Sequence, residues 1–447
     1  MAKLKVGLDF GTSNSGIALY DGQKVQALPI NRRSLTPEVV KTIMYVTRDQ
    51  TCHIGQEAID LYYKHNVKRP RRFVRKWVGE IEYMGSDMYY VRDVYVFIDE
   101  LQPGRLLQFL KTGLRLEDYE GTQVFDVYYD LKTLIKVYLQ ALKTRAESLL
   151  NQKIDGVTLG RPVKFLDQPD RDKQSEETLR QAALEAGFQE VDIEFEPIAA
   201  ALYYETSLSK PENVLIFDFG GGTLDITIMR LGGPKERKIF ATGGIGIAGA
   251  DFDKAIIQKR MLAHFGRGVV EANPEVNHLI EALADWHVLP ALSTPRVQHM
   301  LREAIKINPA PTRLKAAEAL IYNDLAFLFY NKVEAAKMAL SQQGAAVIKM
   351  EEEEMNLWEL LTRHQFEEDI KTLRSQIETC LLDTLIASGL EPEQIDAVIK
   401  TGGSSNIPSF TTMLQAIFSP AKIKTSNVFG SVTAGLAIKA YETSSRN

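Results

Sequence analysis

Apolar and polar positions alternate from the first residues of the chain. In "KLKVGLDF" Leu4, Val6, Leu8 and Phe10 fall on one face, and Lys3, Lys5, Gly7 and Asp9 on the other. That is the period of a β-strand. "IALYDGQKVQAL" then sets Asp21-Gly22 between two strand-like runs, which predicts a hairpin. The same plan returns about 210 residues later. "NVLIFDF" enters, "TLDITIMRL" leaves with Leu224, Ile226 and Ile228 on one face, and Gly232-Gly233 turns into "KERKIFAT". Two β-meanders of one design predict an internal structural duplication, not a short-period solenoid.

Between the meanders the period becomes helical. "DKQSEETLRQAALEAGF" (172–188) lines up Leu179, Ala182, Ala183 and Ala186, with Gly187 as a natural stop. "EPIAAALYYET" (196–206) carries Pro197 at the first helical position, and "NKVEAAKMALSQQ" (331–343) predicts another helix. Residues 266–330 look helical, whereas 67–130 are rich in Tyr, Arg and Val without a clear motif. The run Glu351–Glu354 reads as a solvated loop or strand edge. Strands mixed with helices, both sheet faces covered, predict an α/β protein.

Composition narrows the classes. A chain of 447 residues, 45% hydrophobic and 25% charged, is an ordinary globular one with room for two to three domains. A net charge of −5 argues against a nucleic-acid partner. The basic run "KRPRRFVRKW" (68–77) therefore reads as a charged helix face. Cys52 and Cys380, far apart, form neither a disulfide framework nor a metal cluster and suit a reducing compartment. His278, His287 and His299 lack metal-ligand spacing and read as structural. "MAKLKVGLDF" turns into a strand at once, and no run approaches the ~18 apolar residues of a membrane span. A cytoplasmic protein with no membrane segment is expected.

The glycines of the second meander, Gly220, Gly221 and Gly222, suggest chemistry. A phosphate approaching a turn needs bare backbone N–H donors, and glycine leaves them uncovered. Asp9 and Asp218 cannot meet phosphate directly, but they make sense with Mg²⁺ between, an ion often held by one or two carboxylates together with phosphates. Thr12, Ser13 and Thr223 add short hydroxyls. One such turn alone would simply close a hairpin. Two copies, each following an apolar strand, could grip one triphosphate from both sides. "TGGIGIAGADFDKAII" (242–257) and "AVIKTGGSSNIPSF" (397–410) each set glycines between a strand and a helix, a ready anion site. No GxxxxGK[ST] occurs, and no GxGxxG follows the first strand.

Taken in order, "GLDFGTSNSG", "FEPIAAALYY", "NVLIFDFGGGTLDITI", "GIAGADFD", "VEAAKMALS" and "KTGGSSNIP" resemble the nucleotide-binding domain of the seventy-kilodalton heat-shock chaperones (DnaK-type), within the actin–hexokinase ATPase superfamily. The resemblance spans nearly the whole chain and is weakest over 67–130 and 266–330. It implies a two-lobed actin-like ATPase fold, each lobe a mixed five-stranded-type sheet flanked by helices. Lobe I would be 1–212 plus 425–447 and lobe II 213–424, with MgATP or MgADP in the cleft between. By resemblance Asp9 and Asp218 hold the waters of Mg²⁺. Gly11, Thr12, Ser13 and Asn14 form the first phosphate loop, and Gly220, Gly221, Gly222 and Thr223 the second. Glu196 orients the attacking water, with Asp218, Thr223 and Asp225 as further catalytic candidates. Gly249 joins the nucleotide set; Gly402, Gly403 and Ser404 meet ribose and phosphate. Glu334, Lys337 and Ser341 line the adenosine pocket. At i, i+3 and i+7 they share one helix face, which by itself reads as a solvated polar stripe.

Departures from the family pattern temper the activity. The family's γ-phosphate lysine is sought in "IGQEAIDLYYK" (54–64), where its position falls near Ile59 and Lys64 is out of register. Ala250, Met338 and Asn406 stand where an acid and two arginines are usual. Loss of a cation there removes charge stabilisation and leaves slow hydrolysis or none. After "GLAIKAYETSSRN" no peptide-binding domain is expected, so a protein client or co-chaperone would be met through the insertions or a partner. The expectation is a chaperone-like MgATP-binding nucleotide switch. The alternatives are a metabolite kinase, a non-hydrolysing scaffold or an actin-like filament protein.

Overall fold

The structure, a computed structural model, describes residues 3–84, 89–108, 110–232, 237–269, 273–286, 288–308, 311–425 and 430–444. Gly233 and His287 lie outside the described residues. The chain forms two compact units: Met1–Asp60 with Leu106–Phe252 and His364–Asn447, and Leu61–Arg105 with Asp253–Arg363.

The first unit holds two sheets of one design. In one, strand Lys5–Phe10 runs antiparallel to Asn14–Tyr20 and parallel to Gly156–Arg161. Glu190–Phe195 and Val25–Ala27 extend it at its two ends. In the other, Glu212–Phe219 runs antiparallel to Leu224–Leu231 and parallel to Ala397–Thr401, with Ile423–Thr425 and Lys238–Ile245 at the ends. Order and sense repeat, so the duplication read from the two meanders is present in the topology. Strand Glu212–Phe219 is apolar on both faces, as a strand covered on both sides must be, with Val214, Leu215, Ile216 and Phe217 fully buried, while Lys5–Phe10 buries Val6, Leu8 and Phe10 on its apolar face.

Two helices rich in small residues tie these sheets together. Glu196–Glu205 and Ser431–Ser444 pack Ala199, Ala200, Ala201, Val432 and Leu436 against Val214, Ile216 and Ile399. Their crossing is close: a Cβ on Gly435 would lie 1.6 Å from the Ala199 carbonyl oxygen, and one on Gly7 2.1 Å from the Ala437 nitrogen. Helix Leu131–Leu150, capped by Asp130 through a 2.7 Å bond from the Thr133 amide, adds Leu134, Ile135 and Leu139 to the core of the first sheet. The helix expected over 172–188 spans Pro169–Glu185. It starts earlier because Pro169 suits its first turn, and Gly187 (φ +96°) follows its end.

The second unit is helical over much of 274–340, as expected. Asn273 and Thr294 cap helices Pro274–Ala282 and Pro295–Ile307, each with proline in the first turn. Pro311–Tyr322 and Ala326–Leu340 follow. The acidic run bends strand Ala345–Glu352 into Met355–Thr362. The basic run 68–77 is not a helix face. Its second half opens strand Phe73–Met84, which pairs antiparallel with Tyr89–Asp99. Aromatic and β-branched residues on both strands, such as Phe73, Val74, Trp77, Tyr95, Val96 and Phe97, favour the ribbon. Arg69 pairs with Asp99 at 2.6 Å and Arg71 with Asp324 at 2.8 Å, so both cations are spent inside the fold. Among the described residues no helix is long and apolar enough to cross a membrane.

Candidate functional site

Both glycine hairpins end at one place in the first unit. Asp9 closes the first apolar strand, and the turn beyond it is held by Thr42, whose hydroxyl donates to the Gly11 carbonyl (2.8 Å). In the second hairpin Asp218 sits directly across from Asp225, and the Gly220 amide donates to the Thr223 carbonyl (3.1 Å) to close the turn. The tips meet. A Cβ on Gly222 would stand 2.4 Å from Thr12 Oγ1, and one on Gly221 2.5 Å from Ser13 Oγ. A Cβ on Gly11 would stand 2.3 Å from the Asn14 carbonyl oxygen. Two facing hairpins were expected, and two facing hairpins are present.

Two further loops converge on the second tip. The Gly249 and Ala250 amides, at the start of helix Gly249–Ile256, donate to the Gly220 and Gly221 carbonyls (3.3 and 3.0 Å). Asp251 accepts from the Ala248 amide (2.9 Å), so that turn is closed without an acid at 250. Ser404 donates to the Gly220 carbonyl (2.6 Å). Gly402 has φ +77°, and a Cβ there would lie 2.3 Å from the Phe219 carbonyl oxygen, so only glycine fits. Gly403 faces open space, and Asn406 ends the short turn that follows it.

A carboxyl cluster belongs to the same place. Glu196 opens its helix and is ion-paired to Lys111, both buried. Burial pushes Asp9 up to about 7, the Glu196 charge adding and Lys111 opposing. Burial raises Asp218 well above the usual carboxylate range, with Glu196, Asp225 and Asp9 adding. Burial also raises Asp225 to about 7, against hydrogen bonds from the Thr223 hydroxyl and the Val163 amide (2.6 Å). Four acids therefore share one lysine in a poorly solvated place.

Lys111 is a buried cation that the sequence reading did not single out. It lies on the 3-10 turn Leu110–Arg115, whereas Ile59 and Lys64 ride on helix Gln56–His65. The strand pair Phe73–Met84 and Tyr89–Asp99 lies between them in sequence. A signal was available: "LLQFLKTGLRL" sets a lysine inside an apolar run, where a charge needs a buried partner. Arg115 was missed as well. It donates to the Gly222 carbonyl; burial lowers its pKa, while the charges of Asp251 and Asp225 oppose that.

The remaining expected residues belong to the second unit. Glu334 and Lys337 lie on helix Ala326–Leu340, and Ser341 is its C-cap, so the helix ends earlier than 343. Lys337 is buried and pairs with Asp253 at 2.7 Å. Met338 is 58% exposed.

These residues fit a magnesium nucleotide. The tips have no room for a Cβ at Gly11, Gly221 and Gly222, and burial holds Asp9, Asp218 and Asp225 toward the neutral form, which a cation beside them would reverse. Among the described residues no group of three or more His, Cys, Asp or Glu is arranged to hold a metal directly.

Comparison with known proteins agrees. The family model described as "Hsp70 protein" matches residues 118–270 and 325–445. The chain is 26% identical over 447 residues to "Chaperone protein DnaK" from two strains of Thermus thermophilus, covering 98% of this chain and 61% of each relative. It thus spans about three fifths of the length of the curated relatives it matches. With its duplicated sheets, paired glycine hairpins and the match over more than half its length, the chain belongs to the Hsp70 protein family.

Proposed function

We propose that this chain binds one magnesium–adenine nucleotide at its paired hairpins and hydrolyses ATP slowly, as the nucleotide switch of a chaperone. The observation that carries the reading is the meeting of the two glycine tips beside the buried Lys111–Glu196 pair. Backbone amides of 11–14 and 221–223 would bind phosphate oxygens, with the hydroxyls of Thr12 and Ser13 as further donors, while Gly220 closes the second turn on Thr223. Asp9 and Asp218 would hold the hydrated Mg²⁺, which neutralises phosphate charge when bound. Lys111 would offset charge developing at the γ-phosphate, and Glu196, fixed by Lys111, would orient the attacking water. Asp225 would hold Thr223 in place. Gly249, Gly402, Gly403 and Ser404 would fix the second loop and meet ribose and phosphate, and Glu334, Lys337 and Ser341 would meet adenosine. Asp9 and Asp218 would stay ionised only while a cation answers them.

The same proposal includes the lobe division at 212/213 and 424/425, a cytoplasmic setting and a protein client or co-chaperone. The name of the DnaK relatives, a chaperone protein, supports the last. Single-turnover hydrolysis of ATP tests the reading. Lys111→Met alone strands a buried carboxylate, so the double variant Lys111→Met with Glu196→Gln accompanies it. Both should lose about 10²-fold or more in rate, the scale of a removed transition-state contact. Hydrolysis at the wild-type rate in both variants would overturn the assignment.

A further inference from the structure

We propose that a cavity in the first unit, between the loop after the first sheet's short third strand and helix Leu131–Leu150, binds a small polyanion carrying two or more phosphate or carboxylate groups. The cavity measures about 390 Å³ and is lined by Arg32, Arg33, Glu57, Arg145 and Ser148, among others. Small-molecule pockets run from roughly 300 to 1,000 Å³. None of its lining residues belongs to the glycine hairpins.

Charge accounting points to an anion. Three guanidiniums face one carboxylate, and that carboxylate is already engaged. Glu57 Oε2 accepts from Arg145 (3.0 Å), and its Oε1 lies 3.0 Å from His53 Nδ1. Among the described residues Arg32 and Arg33 have neither an ion-pair nor a hydrogen-bond partner. Elsewhere in the first unit Arg161 and Arg237 each meet two carboxylates. Both arginines are solvent-exposed, so their guanidiniums are open to a ligand arriving from water. Arg145 is half-buried; burial lowers its pKa, Glu57 and Tyr138 oppose that, and the like charge of Arg33 lowers it slightly. An anion between them would relieve that repulsion.

The cavity is also built in advance. Asn31 is 5% exposed; its amide side chain donates to the Val39 carbonyl (2.8 Å) and its backbone amide to the Pro37 carbonyl (2.9 Å). The Ser34 amide returns to the Asn31 carbonyl (2.9 Å). These bonds close the loop that presents Arg32 and Arg33, while Arg145 and Ser148 sit on a regular helix one turn apart. The loop backbone is thus fixed, and the planar guanidinium pairs bidentately with phosphate and carboxylate alike.

The test uses the full chain and two probes, inorganic pyrophosphate and citrate, followed by calorimetry at low salt. Arg32→Ala with Arg33→Ala removes the unpaired cations without breaking a contact, and Asp218→Asn disables the glycine hairpins instead. At least one probe should bind the wild type, bind Asp218→Asn equally, and lose about tenfold or more in the double arginine variant. Which probe binds tells a phosphate ligand from a carboxylate ligand. Binding that survives in the double arginine variant, or disappears in Asp218→Asn, would overturn the proposal. So would no binding of either probe.

Discussion

Lys111 is a positive charge taken out of water and set against Glu196. Such a pair stabilises little by itself, since desolvation of both ions offsets their attraction. Its presence beside two glycine tips and three further acids therefore calls for a role in charge placement. Residues of another kind show the same selection by burial. Burial raises Tyr138 to about 12 and lifts Tyr62 and Tyr330 well above the usual range. A raised tyrosine favours the neutral form in the folded state, so its contribution is complete below the unfolded pKa of about 10 and is lost as pH rises through the folded one. Part of the tyrosinate absorbance of the 17 tyrosines should stay absent until about pH 12 and then appear together with loss of the helical dichroism. Complete ionisation by about pH 11 with the dichroism intact would contradict these burials. Asp9, Asp218 and Gly220 to Gly222 were legible because their chemistry is local to a short motif. Lys111 was not, because its partner Glu196 lies 85 positions away and no local motif joins the two.

At the scale of elements, alternation and glycine placement made both meanders readable, and Pro197 marked its helix. The pairing of strands across 150 residues, such as Lys5–Phe10 with Gly156–Arg161, was not readable, because parallel pairing leaves no local turn signal. The basic run 68–77 misled for a physical reason. Charges dominate its composition, yet the aromatic and β-branched residues between them, with a matching partner strand, decide its conformation. The tie between the sheets depends on the absence of side chains where the C-terminal helix crosses helix Glu196–Glu205. Gly435→Ala would place a methyl 1.6 Å from the Ala199 carbonyl oxygen. Overpacking of this kind costs about 1–3 kcal/mol. Urea unfolding should show the midpoint falling accordingly; an unchanged midpoint would mean that the helices can part freely there.

For the whole molecule, the family assignment and the duplicated sheets account for why two hairpins distant in sequence reach one place. The nucleotide switch proposed on them is a property of the assembled site, since neither hairpin alone brings glycine tips, carboxylates and lysine together. Its most direct test is calorimetric titration of the full chain with MgADP and MgATP, beside Asp218→Asn. The account predicts one saturable nucleotide site per chain in the wild type, weakened about tenfold or more or abolished in the variant, a loss of at least ~1.4 kcal/mol. Absence of nucleotide binding in the wild type, or equal affinity in Asp218→Asn, would contradict it.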